Sequence, residues 1–299
     1  MSIIVLGTVA LDTVKTPAGF RKEILGGSAA HFAMSARFFS KVNLVAVIGE
    51  DFPESHIDFL RNKGINLCSL IREKGKTFRW QGKYSGDCNL ATTLNTKLGV
   101  LANFKPCITE KEKWIKNIFL ANVDPDIQHK LLDNMRCPKL IGVDSMNFWI
   151  KHKRASLLKL LKRVHIYVAN DAEARDLSQE DNLLKAAKAL KNFGPEMIVI
   201  KKGEHGVLFY SGSFIFSLPA YPVLKIIDPT GAGDTFAGGF MGYLTKQKKI
   251  NQKVLKQALV LGAVIASFNV EGFGLSCTAN LTLKQINSRL KIFKRIISL

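Results

Sequence analysis

Short runs rich in apolar and β-branched residues alternate with amphipathic stretches along most of this chain, and that alternation restricts the fold more than any other feature. The strand-like runs are Ile3–Leu6, Asn43–Ile48, Ile118–Ala121, Leu140–Val143, His165–Ala169 and Met197–Lys201. Helical spacing occupies Ala29–Phe39, Glu54–Lys63, Ile127–Met135, Arg154–Arg163 and Asn182–Phe193 between them. Such βα units assemble into a mostly parallel sheet with helices on both faces. Ligands then bind at the carboxyl ends of the strands, so function is sought in the residues that follow each run.

Two segments break the alternation. Residues 8–25 and 76–98 are rich in Thr, Gly and aromatic residues and show no helical period, which predicts short antiparallel strands forming a β-lid off the main sheet. Within the second, Phe78, Trp80 and Tyr84 are expected on one face, with Arg79 and Lys83 on the other. From Ala232 onward the chain turns helical, over Ala232–Lys246, Gln252–Asn269 and Thr282–Ile297. No repeat, low-complexity tract or linker interrupts it, so one domain covering residues 1–299 with a lid is expected.

Composition narrows the class. With 47% hydrophobic and 22% charged residues, the chain can build a large core without staples. Its five cysteines are scattered and form no C-x-x-C pair, which argues against a zinc ribbon, a redox motif or a secreted disulfide framework. The opening Ser2–Gly7 is too short for a signal h-region, and the longest apolar stretch, Ala258–Phe268, falls short of the roughly 20 residues of a membrane span. A cytoplasmic protein with no membrane partner is expected. The net charge of +19 suits either a polyanion partner or a lysine-rich surface that attracts an anionic substrate. Basic clusters at 151–163, 246–256 and 284–295 have the spacing of exposed helix faces, and no nucleic-acid-binding signature accompanies them.

The strongest local signal is Asp228-Pro229-Thr230-Gly231-Ala232-Gly233-Asp234-Thr235-Phe236-Ala237-Gly238-Gly239-Phe240. Pro229 and two glycines end an extended segment, and a helical pattern starts at once. A helix start offers unpaired N–H groups and the positive end of the dipole, which together bind phosphate. Gly231, Ala232 and Gly233 let an anion approach closely. A bare anion cradle gains nothing from a carboxylate at its mouth, whereas phosphoryl transfer needs one to orient the acceptor hydroxyl and take its proton. G-x-G-D by itself is equally a glycine turn with Asp as helix cap; the whole string is far harder to read that way.

This string resembles the C-terminal signature of the ribokinase-like (PfkB) family of carbohydrate and nucleoside kinases. The resemblance implies a three-layer αβα sandwich with a mostly parallel central sheet and a small β-lid. It also implies an ATP-dependent kinase with Asp234 as catalytic base and Gly231, Ala232 and Gly233 as the anion hole. A sugar or sugar-like hydroxyl is the expected acceptor, with a nucleoside the same-fold alternative. A non-catalytic, RNA-associated relative is the rival from another class, and the intact Asp234 and glycine loop argue against it.

The family's other signature, a double glycine opening a helix and then Asn, is similar to Gly26-Gly27-Ser28-Ala29-Ala30-His31, except that His31 replaces Asn. The resemblance makes Gly26, Gly27, His31 and Asp12 acceptor contacts. Asp12 follows the first strand, and a carboxylate suits a vicinal diol. Asn147, in Asp144-Ser145-Met146-Asn147, follows another strand at the expected mouth of the sheet and is a further candidate, as is Asp144. Asn170-Asp171-Ala172-Glu173 resembles the family's N-x-x-E motif, which organises waters around Mg²⁺; by pattern alone Asn170 and Glu173 are a helix capping pair. Lys202-Gly203-Glu204-His205-Gly206 resembles the glycine turn beside the ATP phosphates, making Lys202, Gly203, Gly206 and Thr230 nucleotide contacts; otherwise it is a plain turn. Adenine is expected between residues 225–227 and 262–269, and Arg79 of the lid is a candidate for assisting transfer. The resemblance further admits a monovalent cation such as K⁺ and a homodimer formed through the lid.

Overall fold

The computed structural model describes residues 1–86, 88 and 91–298; Asp87, Asn89 and Leu90, within the expected lid segment, lie outside the described residues, as does Leu299. The strands are β1 (Ser2–Leu6), β2 (Ala10–Thr16), β3 (Gly19–Gly26), β4 (Lys41–Gly49), β5 (Asn66–Glu73), β6 (Arg79–Tyr84), β7 (Ala91–Lys97), β8 (Asn117–Leu120), β9 (Leu140–Asp144), β10 (Ile166–Asn170), β11 (Met197–Lys201), β12 (Val207–Tyr210) and β13 (Ile215–Leu218). The helices are α1 (Ser28–Ala36), α2 (Glu54–Asn62), α3 (Pro125–Asn134), α4 (Asn147–His152), α5 (Arg154–Leu161), α6 (Asp171–Ser178), α7 (Leu183–Asn192), α8 (Ala232–Thr245), α9 (Gln252–Asn269), α10 (Ser276–Ala279) and α11 (Leu283–Ile297).

Nine strands form the main sheet in the order β13-β12-β11-β10-β9-β8-β1-β4-β5. Every pairing from β5 to β11 is parallel, and β12 and β13 close one edge as antiparallel strands. Strand β1 shows why the apolar runs read as continuous. Ile3 and Val5 enter one core, Ile4 and Leu6 the other, so both faces of a period-two strand are covered. The first core is closed by α1, α8 and α9, the second by α3, α5, α6 and α7. Burying one of its large side chains, such as Phe240, contributes about 2–3 kcal/mol. The glycines of α8 explain how tightly that layer packs. A Cβ on Gly242 would lie 2.9 Å from the Ala36 Cα, and one on Gly239 would lie 3.1 Å from the Gly262 Cα. Larger residues there would force α8 away from α1 and α9 and shift the site that α8 carries.

The lid is a four-stranded sheet ordered β3-β2-β6-β7. Its β2–β3 and β6–β7 pairs are antiparallel as expected, but β2 and β6 run parallel. The reason is topological: each follows a parallel strand of the main sheet, β1 or β5, so both leave its carboxyl edge in the same sense. The aromatic face also differs from expectation. Trp80 packs on Val14, Tyr84 and Cys88 in the lid, whereas Phe78 precedes β6 and packs on the main core. Among the described residues no helix is long and apolar enough to cross a membrane.

Candidate active site

The site sits at the carboxyl ends of β1, β9, β10 and β11, under the lid and against the start of α8. The loop into α8 is shaped by Asp228, which is fully buried. Its two oxygens accept the N–H groups of Thr230 (2.9 Å) and Gly274 (3.0 Å), bending the chain at Pro229. Gly231 then takes φ +73°, and α8 begins with no side-chain cap. The Ala232 N–H turns back onto the Pro229 carbonyl at 3.1 Å, so Ala232 does not offer the free donor expected of it. Among the described residues no acceptor faces the N–H groups of Gly231, Gly233 and Asp234, which leaves these three at the positive end of α8.

Asp234 stands in the first turn of α8. Burial and the Asp144 carboxylate push it up to about 7, and the Lys201 ammonium partly offsets them. Glu173 is pushed up to about 8, by burial first and then by Asp144. Lys201, at the end of β11, bonds Asp144 Oδ2 at 2.7 Å. Burial alone would lower Lys201, but Asp144, Glu173 and Asp234 outweigh it and hold the ammonium charged. Lys201 also lies against the glycine loop, since a Cβ on Gly233 would sit 2.9 Å from its Nζ. The Lys201 ammonium therefore sits in the field of the Asp144, Glu173 and Asp234 carboxyls and against the glycine loop.

The opposite wall comes from the N-terminal half. Thr8 and Ser28 exchange hydrogen bonds, Thr8 N–H to Ser28 Oγ at 3.1 Å and Ser28 N–H to Thr8 Oγ1 at 2.9 Å, pinning the start of α1 to the end of β1. Gly27 needs its φ of +97°, and a Cβ there would strike the Thr8 carbonyl. Asp12, beside a bulge in β2, is 5% exposed. Burial pushes its carboxyl up to about 7; the Gly27 N–H works against this, and Asp228 and Asp234 add to it. Gly26 leaves the room that Asp12 occupies. His31 is buried under Gly231, and burial lowers its ring. Tyr84 brings the lid down to the loop, its hydroxyl meeting Thr230 Oγ1 at 3.3 Å.

Asn170 and Glu173 form a complete capping box. Glu173 N–H bonds Asn170 Oδ1 at 2.7 Å, and Asn170 N–H bonds Glu173 Oε2 at 2.7 Å. The Lys202–Gly206 turn is closed by Lys202 N–H on the Gly206 carbonyl at 2.7 Å. The Ile227 N–H bonds the Val270 carbonyl at 2.7 Å, one residue past the second segment expected to flank adenine. Asn147 is not drawn in: it is exposed at the start of α4 and takes part in none of the contacts that knit the cluster. Arg79 is occupied by Asp51 (2.7 Å) and Glu23 (2.8 Å). Sequence reasoning missed Lys201 and Asn269. Lys201 ends a strand at the sheet's carboxyl edge, a position that flags it; Asn269 carries no signal beyond closing an adenine-flanking segment.

Residues 3–280 match the model of the pfkB family carbohydrate kinases. The chain belongs to this family. A cytidine kinase from Thermococcus kodakarensis is 32% identical over 261 residues, covering 85% of this chain and 92% of that protein. The crystal structure of the Methanocaldococcus jannaschii nucleoside kinase, an archaeal member of the ribokinase family, matches with a TM-score of 0.78 at 22% identity, over 97% of this chain and 98% of that one. Aminoimidazole riboside kinase from Salmonella enterica, solved with aminoimidazole riboside and an ATP analog, matches with a TM-score of 0.76 at 16% identity, over 97% and 100% of the two chains. At these identities the two structures establish the fold, a ribokinase-like sandwich with its lid. As a pfkB-family member, the chain is an ATP-dependent kinase that phosphorylates a hydroxyl group.

Proposed function

We propose that this kinase phosphorylates a ribose hydroxyl of a nucleoside, with Asp234 as general base. The observation that carries the mechanism is the Asp234 carboxyl in the first turn of α8 beside free helix-start amides, where burial and Asp144 push it up to about 7. A base is most effective when its pKa lies near working pH, because it is then both ionised and able to hold a proton. The acceptor O–H donates to Asp234. As the oxygen attacks the γ-phosphorus of ATP, its proton passes to that carboxylate and the bond to the β-phosphate oxygen breaks. The Gly231 and Gly233 N–H groups, with Lys201 beneath them, face the charge that gathers on the phosphoryl oxygens. Ala232 shapes the loop and leaves donation to its neighbours.

Asp12 accepts two neighbouring ribose hydroxyls, framed by Gly26, Gly27 and His31. Lys202, Gly203, Gly206 and Thr230 line the nucleotide side. Asn170 and Glu173 would hold Mg²⁺ through water, a mode that suits an ion slow to dehydrate, and the ion would neutralise phosphate charge when ATP binds. The nucleoside acceptor is favoured over a free sugar by the 32% identity to a cytidine kinase across most of both chains. A free furanose offers the same vicinal diol, so an ADP-release assay over cytidine, uridine, adenosine, inosine, guanosine, ribose and fructose tests the choice. Turnover of a nucleoside at the highest kcat/KM supports the proposal, and preference for a free sugar overturns the acceptor assignment.

A further inference from the structure

The family pattern places Asn where this chain has His31, and the structure shows what the imidazole does there. Its Nδ1 lies 3.0 Å from Asn269 Oδ1, at the end of α9. Asn269 is fully buried, and its Nδ2 donates to the Thr230 carbonyl at 2.8 Å. A carbonyl can only accept, so the amide orientation of Asn269 is fixed and Oδ1 faces the other two partners. The Thr235 hydroxyl donates to that oxygen at 3.1 Å. His31 must therefore donate from Nδ1, which leaves Nε2 unprotonated; it is buried and has no partner among the described residues. The ring also lies directly beneath Gly231, where any Cβ would run into it.

The consequence follows from the planar peptide. In the Thr230–Gly231 peptide the C=O and N–H point to opposite sides. Tying the carbonyl to Asn269 aims the Gly231 N–H away from α9, where no described residue accepts it. A flipped peptide would present a carbonyl oxygen to the transferring phosphate and withdraw one donor. Resting on the phosphoryl-transfer reading above, we propose that His31 and Asn269 are positioning residues that lock the Thr230–Gly231 peptide in its donor-out orientation. His31 holds Asn269 from the N-terminal half of the chain and fills the space under Gly231; Asn269 holds the carbonyl. The lock joins the two wall segments of the site through one buried amide.

Asn269→Asp tests this with almost no change of shape. In its ionised form, which assays at alkaline pH select, the carboxylate can still accept from His31 and Thr235, but it repels the Thr230 carbonyl and favours the flip. Loss of an anion-hole donor lowers kcat by about 10²-fold. The expected result is a fall of that order with acceptor KM within about threefold, because the acceptor contacts are untouched. His31→Gln, which leaves the carbonyl anchor in place, should lose less, and the double variant should lose no more than Asn269→Asp alone. Two amide resonances supply a readout that needs no turnover. Adding MgATP to the parent should shift Gly231 and Gly233, whereas in Asn269→Asp only Gly233 should respond. The His31 ring should show a protonated Nδ1 and a bare Nε2 in the parent. A Gly231 amide that responds equally in both proteins, multiplicative losses in the double variant, or a parent proton on Nε2 overturns the lock. If the parent phosphorylates no acceptor while these NMR signatures appear, the acceptor reading falls and the lock stands.

Discussion

Replacing Asp234 by Asn removes a proton acceptor while keeping the shape of the first turn of α8, and it should move activity and stability in opposite directions. The carboxyl is raised from 3.8 to about 7, chiefly by burial and next by Asp144. Every tenfold change in proton affinity corresponds to about 1.4 kcal/mol between the two protonation states. Holding the carboxylate ionised in the folded protein therefore costs up to about 4 kcal/mol above pH 7. The sign follows from the raised value: the unfolded chain loses this proton near pH 4 and the folded chain near pH 7. The penalty on the parent is thus small at pH 4, grows through that window and levels off above it. Asp234→Asn carries no such penalty, so its advantage in urea-unfolding free energy should grow from near zero at about pH 4 to a few kcal/mol at about pH 8. Turnover moves the other way, with kcat falling by about 10²-fold or more, the scale of a lost general base. The parent's kcat/KM should fall below about pH 7, where Asp234 and Asp12 both take up protons, and the fall should become shallower in the variant, which keeps only the Asp12 titration there. A folded variant retaining kcat within a few-fold, or one less stable than the parent at pH 8, would refute the assignment of Asp234 as a strained, poised base.

Three further outcomes are expected. Asp12→Ala should raise KM for the acceptor by roughly 10- to 200-fold while KM for ATP stays put, the scale of losing charge-assisted hydrogen bonds; equal losses on both substrates would make Asp12 a support of the fold. Glu173→Gln should raise the Mg²⁺ concentration needed for half-maximal rate, and superimposable Mg²⁺ titrations would reduce Asn170 and Glu173 to their capping box. Lys201→Met should leave Asp144 buried without its cation and cost about 3–5 kcal/mol of stability, whereas Lys201→Met with Asp144→Asn should recover most of that stability but not the ATP affinity; recovery of both would make the pair purely structural.

What the sequence disclosed and what it hid have physical causes. Elements buried on both faces, such as β1 and β11, are visible because continuous apolar runs have one explanation, and β11 keeps its expected bounds, Met197–Lys201. Strand β5 is not visible, because it edges the sheet: only Ser69 of its residues is buried, so Asn66–Glu73 mixes polar and apolar side chains with no clear period. The hairpin partners β12 and β13 are four residues each, too short to show alternation. In the site, backbone motifs are legible and side-chain convergence is not. Gly27 and Gly231 are demanded by local chain geometry, so a string of residues betrays them. Lys201 and Asp144 lie 57 positions apart and meet only because β9, β10 and β11 are adjacent in the sheet. Lys202, one residue beyond the strand, stands out in the sequence because the glycine turn suggests phosphate; in the sheet it is the last strand residue, Lys201, that enters the mouth. His31 shows the limit most clearly. Set against the family pattern it is a changed acceptor contact, and the fold adds a partner, Asn269, 238 residues away. No local pattern pairs them; they meet only because α1 and α9 both pack on α8.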